Sequence, residues 1–242
     1  MAINRLRILA GPNGSGKSTL YKTIKNKFDT GVWINADDIL SIFNQKGIIE
    51  FSYFGFIATK AAFLKFTTLK SSLSFINEFN LTKEIDGLKF GTYSIAFPAK
   101  NMSNQFAAFF TDFLRYSLLK ANISFTTETV FSHPSKLQLA KDAKKKNYKT
   151  YLYFIATVSP EINIRRISSR VTKGGHFVAD DKVRKRYENS ILLISKNIKL
   201  FDRVFILDNS TDSISLIASF HLGKLDKIYV EELPTWVKKI IT

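Results

Sequence analysis

Residues Gly11-Pro12-Asn13-Gly14-Ser15-Gly16-Lys17-Ser18, followed by Thr19, fit the pattern G-x-x-x-x-G-K-[ST] without a gap. Glycines at such positions let successive backbone N–H groups turn inward on phosphate oxygens. A helix opening there adds the positive end of its dipole. In this pattern Lys17 reaches the β- and γ-phosphates and Ser18 is a ligand for Mg²⁺. The glycine spacing does not fit the dinucleotide pattern G-x-G-x-x-G, so the expected ligand is a nucleoside triphosphate, ATP or GTP.

The next polar groups bear on what such a loop is for. Asp37 follows the apolar run Val32-Trp33-Ile34-Asn35, and in an open parallel sheet ligands gather outside the carboxyl ends of the strands. A carboxylate there can accept the proton of an attacking hydroxyl, so Asp37 is the candidate catalytic base, with Asp38 beside it pointing elsewhere. The competing reading is that Asn35, Asp37 and Asp38 cap the following helix. Glu128 ends another strand, Ser124 to Glu128, where an acid either holds Mg²⁺ through water or orients a substrate.

Arg165, Arg166, Arg170, Lys173, Arg184, Lys185 and Arg186 surround Gly174-Gly175-His176. Guanidinium groups on a lid would meet the γ-phosphate as charge redistributes during transfer. Arg170 and Arg184 are the candidate lid arginines, followed by Arg186, while a lone His176 in a glycine-rich loop reads as a structural or phosphate-contacting residue. Asp208-Asn209-Ser210 either lines an adenine pocket or forms a turn.

These residues need a scaffold that alternates strands with helices. The pattern predicts a buried strand over Leu6 to Ala10, a helix from Lys17 to about Phe28, and a strand over Val32 to Asn35. After Ser124 to Glu128 it predicts a helix over Pro134 to Lys146, a strand over Tyr151 to Thr157 and a helix over Pro160 to Ser169. Asp181 to about Lys199 reads as a long helix and Arg203 to Leu207 as a core strand, with an edge strand near Lys227 to Val230. Such alternation implies a largely parallel sheet covered on both faces. The stretch from Ile39 to about Asn122 reads as helical, clearest at Phe106 to Ala121, with a turn or β excursion at Asp86 to Tyr93.

Composition removes several classes of function. The chain of 242 residues has no cysteine, which excludes disulfide scaffolds, thiolate metal sites and cysteine nucleophiles. No charged-then-apolar leader is visible and the longest apolar stretches are broken by Lys60 and Lys65, so a cytoplasmic protein without a membrane segment is expected. The net charge of +16 is concentrated: Lys136 to Arg203 holds 17 Lys and Arg against 6 Asp and Glu. Lysines such as Lys144, Lys145 and Lys146 read as solvated helix surface. Aromatic residues interleaved with lysines between Phe51 and Phe79 fit a Phe-rich core better than a single-strand binding surface.

With Gly11 to Thr19, Asn35-Ala36-Asp37, Thr127-Glu128-Thr129 with Ser132-His133, Arg170 to His176, Arg186-Tyr187 and Asp208-Asn209-Ser210 in order, the chain resembles the zeta toxin-like P-loop kinases. That family is also described as predicted ABC-type ATPases. The resemblance covers about residues 1–40 and 123–210. It implies an α/β P-loop NTPase fold, a three-layer sandwich with a mostly parallel central sheet. Residues 1–242 would then be one kinase domain with a largely helical insertion at about 41–122 and an arginine-rich lid at about 165–186.

The resemblance further implies ATP- and Mg²⁺-dependent phosphorylation of a small-molecule hydroxyl, and zeta toxins proper act on the 3′-hydroxyl of UDP-N-acetylglucosamine and related UDP-amino sugars. Asp37 matches the family's base, Lys17 and Ser18 its ATP and Mg²⁺ ligands, Glu128 a substrate-side acid joined by Arg186, and Arg170 with Arg184 its lid arginines. An antitoxin protein is the implied partner. Phosphorylation of a nucleotide or of RNA ends stays open as a second reading. A nucleotide-switched ATPase acting through a protein partner is a third, although neither a Leu-Ser-Gly-Gly-Gln signature nor an apolar strand ending in Asp-Glu is present.

Overall fold

Leu6, Ile8, Leu9 and Ala10 are at most 1% exposed in β1 (Arg5–Ala10), as a run apolar on both faces requires of a central strand. The structure is a computed structural model that describes residues 3–97, 102–172 and 177–241. The chain forms two compact units, residues 1–30 with 126–242 and residues 31–125. After β1 and the glycine loop comes α1 (Lys17–Ile24), shorter than its apolar pattern suggests. The Lys27 and Phe28 amides both turn back onto the Ile24 carbonyl, which ends the regular helix there.

Residues 31–125 begin with β2 (Val32–Ile34) and α2 (Ala36–Lys46). Asn35 caps α2, its side chain accepting a 2.9 Å hydrogen bond from the Asp37 amide, and Gly47 ends it at φ 67°. Then follow β3 (Ile48–Glu50), a 3₁₀ turn at Phe51–Phe54, α3 (Lys60–Thr67), α4 (Lys70–Phe79) and α5 (Thr82–Asp86). The β excursion is real: β4 (Lys89–Phe90) and β5 (Ser94–Ala96) join β3 in a small antiparallel sheet of order β3-β5-β4.

The helix α6 (Asn104–Lys120) closes this unit. Its Phe106, Phe110, Phe113 and Leu114 are fully buried, and Phe63, Phe66 and Phe43 pack edge-on or tilted against its rings at 5.0 to 6.3 Å. Residues 31–125 hold 15 of the 22 phenylalanines of the chain, so the phenylalanine excess is the core of this unit.

The chain returns through β6 (Phe125–Thr129), a 3₁₀ turn at Pro134–Leu137, α7 (Gln138–Lys145), β7 (Lys149–Ala156), α8 (Pro160–Val171) and α9 (Asp180–Ser195). It ends with β8 (Arg203–Asp208), β9 (Ser215–His221), β10 (Lys224–Ile228) and α10 (Thr235–Ile241). In this unit the strand order is β10-β9-β8-β7-β1-β6. β1, β7 and β8 are mutually parallel, whereas β9 and β10 run antiparallel at one edge. The parallel strands therefore deliver the residues after β1, β7 and β8 to one edge of the sheet, where the glycine loop lies. This is an α/β P-loop NTPase fold.

Candidate active site

Each glycine of the loop sits where a side chain has no room. A Cβ on Gly11 would lie 2.0 Å from the Ile155 carbonyl oxygen, one on Gly14 2.6 Å from the Asn163 carbonyl oxygen, and one on Gly16 2.2 Å from Asn209 Nδ2. Gly14 and Gly16 also have φ of 76° and 98°, the left-handed region that favours glycine. The loop is thus pressed against the ends of β7 and β8 and the start of α8.

Lys17 is 9% exposed and its ammonium folds back on the loop, donating to the carbonyl oxygens of Gly11 at 3.1 Å and Pro12 at 3.0 Å. Ser18 is exposed at the start of α1 and its hydroxyl donates to Glu128 Oε2 at 3.1 Å. That bond joins residues 110 positions apart and brings the expected Mg²⁺ ligand onto the carboxylate at the end of β6. The main chain beside Glu128 is fixed too, since the Gly11 amide donates to the Thr129 carbonyl at 3.3 Å and Ser190 Oγ to the Val130 carbonyl at 2.9 Å. Thr19 is exposed, and its carbonyl accepts from Thr23 Oγ1.

Of the arginines, Arg186 reaches the loop: Nη1 donates to Asn13 Oδ1 at 2.9 Å across 173 positions of sequence. Burial pulls its guanidinium below the ordinary arginine pKa. Its acceptor is a neutral amide oxygen, and among the described residues no carboxylate pairs with it. Arg184, two residues earlier on α9, is ion-paired with Glu161 at the start of α8, with both side chains about half exposed. The Glu161 carboxyl lies below its usual range because its own main-chain N–H and the Ser159 hydroxyl bond it, with Arg184 adding to the effect. Arg170, near the end of α8, is exposed. Lys173, Gly174, Gly175 and His176, expected within the lid, lie outside the described residues.

A second ring of contacts was not anticipated. Asn163 is fully buried, and its Oδ1 accepts from Thr157 Oγ1 at 2.7 Å. Its Nδ2 and the buried Ser15 Oγ have no hydrogen-bond partner among the described residues. Asn209 is buried, and its Nδ2 donates to the Ser15 carbonyl at 2.8 Å. Asp208 accepts from Trp236 Nε1 at 2.8 Å. The Tyr187 hydroxyl, which donates to the Thr157 carbonyl, is pushed up in pKa by burial, with the Asp208 and Glu161 charges adding.

Asp37 belongs to the other unit, in the first turn of α2 just beyond the carboxyl end of β2. The capping in that turn is done by Asn35, which leaves the exposed Asp37 carboxylate without a partner among the described residues. Asp38 beside it accepts a 2.7 Å bond from Trp33 Nε1.

A glycine loop with Lys and Ser at its helix end, opening from a central parallel strand, defines the class of P-loop phosphotransferase folds. The sequence profile of the zeta toxin family matches residues 97–218, half of the chain, and the chain belongs to that family. The matched region holds Glu128 and all the lid arginines but neither the glycine loop nor Asp37, and it extends into the segment 97–122 where no family motif was expected.

Over 69 residues the chain is 41% identical to an uncharacterized protein of Haemophilus influenzae, a match covering 28% of this chain and 49% of that protein. The matched stretch thus spans about half the length of that curated relative. Among solved structures, one of the PezAT toxin-antitoxin system of Streptococcus pneumoniae shares the fold at 15% identity and a TM-score of 0.52, covering 90% of this chain and 72% of that one. A structure of AvrRxo1-ORF1 with AvrRxo1-ORF2 and sulphate ions shares it at 15% identity and a TM-score of 0.54, covering 99% of this chain and 64% of that one. No helix among the described residues is long and apolar enough to cross a membrane.

Proposed function

We propose that this protein is an ATP-dependent kinase that transfers the γ-phosphate to a hydroxyl of a small molecule, a UDP-amino sugar in the family's manner, as the toxin of a toxin-antitoxin pair. The observation that carries the reading is the Ser18–Glu128 hydrogen bond beside the Lys17 loop. It pairs a hydroxyl with a carboxylate, the hard oxygen donors that suit Mg²⁺, at the position where a triphosphate would be held. Among the described residues no cluster of three or more His, Cys, Asp or Glu could hold a metal by itself, so triphosphate oxygens and water would complete the shell. Bound there, Mg²⁺ would neutralise charge on the β- and γ-phosphates.

In this reading Lys17 leaves the Gly11 and Pro12 carbonyls for phosphate oxygens, and Arg186, held by a neutral acceptor, turns to the transferred group. Arg170 adds a second guanidinium, whereas Arg184 must first leave Glu161. Asp37 accepts the proton as the acceptor oxygen bonds to the γ-phosphorus and the bond from that phosphorus to the bridging oxygen of ADP breaks. The family membership and the likeness to a toxin-antitoxin structure support an antitoxin partner.

The test is incubation with γ-labelled ATP and a panel of nucleotide sugars, nucleosides and RNA. Label is expected in a nucleotide sugar; label only in inorganic phosphate would refute the kinase reading, and label in RNA ends would replace the acceptor. Asp37→Ala should cut transfer by about 10²- to 10⁴-fold with ATP affinity nearly intact. Lys17→Ala should weaken ATP binding as well.

A further inference from the structure

We infer that Asn209 and Arg166 work together as positioning residues that set the direction of a phosphate-binding amide in the glycine loop. The Ser15 carbonyl precedes Gly16, the N-cap of α1, so it stands outside the helical hydrogen-bond ladder; the first cap bond runs from the Leu20 amide to the Gly16 carbonyl. Its partner is Asn209 Nδ2 at 2.8 Å. A trans peptide is planar, with its C=O and N–H pointing in opposite directions. Fixing the Ser15 carbonyl on Asn209 therefore fixes the Gly16 N–H on the side away from Asn209, and in the phosphate-cradle reading that amide meets the anion. The missing Cβ of Gly16 lets Asn209 come this close.

The main chain of Asn209 is itself held at its amide and at its carbonyl. Its amide donates to the Ala156 carbonyl at 2.9 Å, at the end of β7. Its carbonyl accepts from Arg166 Nη1 at 2.7 Å, and Arg166 Nη2 reaches the Thr211 carbonyl at 3.2 Å. Between them Ser210 Oγ accepts from the Val158 amide at 2.8 Å. A fork of two donors on carbonyls two residues apart clamps a turn as a single ammonium cannot. The Arg166 guanidinium thus acts on the glycine loop through Asn209 and needs no contact with nucleotide.

The inference rests on the reading of the loop as a phosphate cradle, and its test separates the two. Binding of ATP and of inorganic tripolyphosphate would be measured by calorimetry for wild type, Asn209→Ala, Asn209→Asp, Arg166→Ala and Asn209→Ala/Arg166→Ala. Each single variant is expected to bind both anions about tenfold more weakly, since one hydrogen bond is at stake, with kcat at saturating ATP changed far less. The double variant should be no more than about twofold weaker than the singles, because both act through one strap. Arg166→Lys, which can reach only one carbonyl, should fall between Arg166→Ala and wild type.

A loss confined to ATP would mean that Asn209 reads the base, and the inference would fail. Amide hydrogen exchange of the ligand-free protein gives a readout that needs no ligand. Faster exchange confined to residues 16–19 in Asn209→Ala supports the strap, while unchanged exchange, or exchange raised throughout the unit, overturns it. If wild type bound neither anion, the phosphate reading would fall and the exchange result would still decide the strap.

Discussion

Gly11 and Gly47 show how differently two glycines of positive φ constrain the chain. At Gly47 an added Cβ would meet only the Phe97 carbonyl oxygen at 3.6 Å, so the cost is the left-handed backbone alone. At Gly11 the same atom would lie 2.0 Å from the Ile155 carbonyl oxygen, a main-chain atom of β7 that cannot step aside. Gly47→Ala is therefore expected to cost about 1 to 2 kcal/mol in urea unfolding. Gly11→Ala should cost more than about 3 kcal/mol, a clash with a central strand being among the severe classes of substitution. Equal costs would mean that the loop is not wedged against the strand. The glycine pattern was legible because it is local. The Arg186 to Asn13 bond was not, since nothing in a run of basic residues tells which one crosses 173 positions to reach the loop.

At the scale of elements, strands with apolar runs and helices with clear starts were readable, whereas the small sheet within residues 48–96 showed only as a turn or β excursion at Asp86 to Tyr93. β3, β4 and β5 hold three, two and three residues, too few for alternation to show against a helical background. The β7–β8 pair was legible from Tyr151 and Arg203 onward, but the staple at its start is tertiary. Asp202 Oδ2 accepts from the Thr150 amide at 2.7 Å and the Thr150 hydroxyl at 2.8 Å, and Lys144 lies 3.7 Å from Oδ1. Burial by itself would raise the Asp202 pKa, yet the Thr150 bonds and Lys144 together hold it below the usual carboxylate value.

The sign of the pH dependence follows. A carboxyl depressed in the folded state adds stability that is present above its unfolded pKa of about 3.9 and disappears as pH falls through the lower folded value. With the site partly open to solvent, Asp202→Asn should lower stability by about 1 kcal/mol at pH 7. The gap between variant and wild type should shrink below about pH 4, as followed by urea unfolding across pH. A gap independent of pH would assign the effect to shape and not to charge.

Across the whole molecule the positive charge follows the division into units. Residues 31–125 carry 9 Lys and Arg against 7 Asp and Glu, so +14 of the net +16 belongs to residues 1–30 and 126–242, the unit that holds the glycine loop. Part of that surplus is locally compensated, as in the Lys144–Asp202, Lys145–Asp142 and Arg203–Asp226 pairs, and many of the rest are exposed. Exposed charges act at long range and are screened over about 10 Å at 0.1 M salt, whereas the buried Lys17 and half-buried Arg186 are screened much less. Two ligands of different charge extent should therefore respond differently to salt. Between 50 and 500 mM KCl the Kd for ATP should rise only about three- to tenfold, the part due to the general field, while the buried contacts persist. Single-stranded RNA, held by surface charge alone, should lose about 10³-fold or more over the same range. An ATP affinity as steep in salt as that of RNA would place the binding energy on the exposed lysines, and the phosphate loop would then not be what holds the nucleotide.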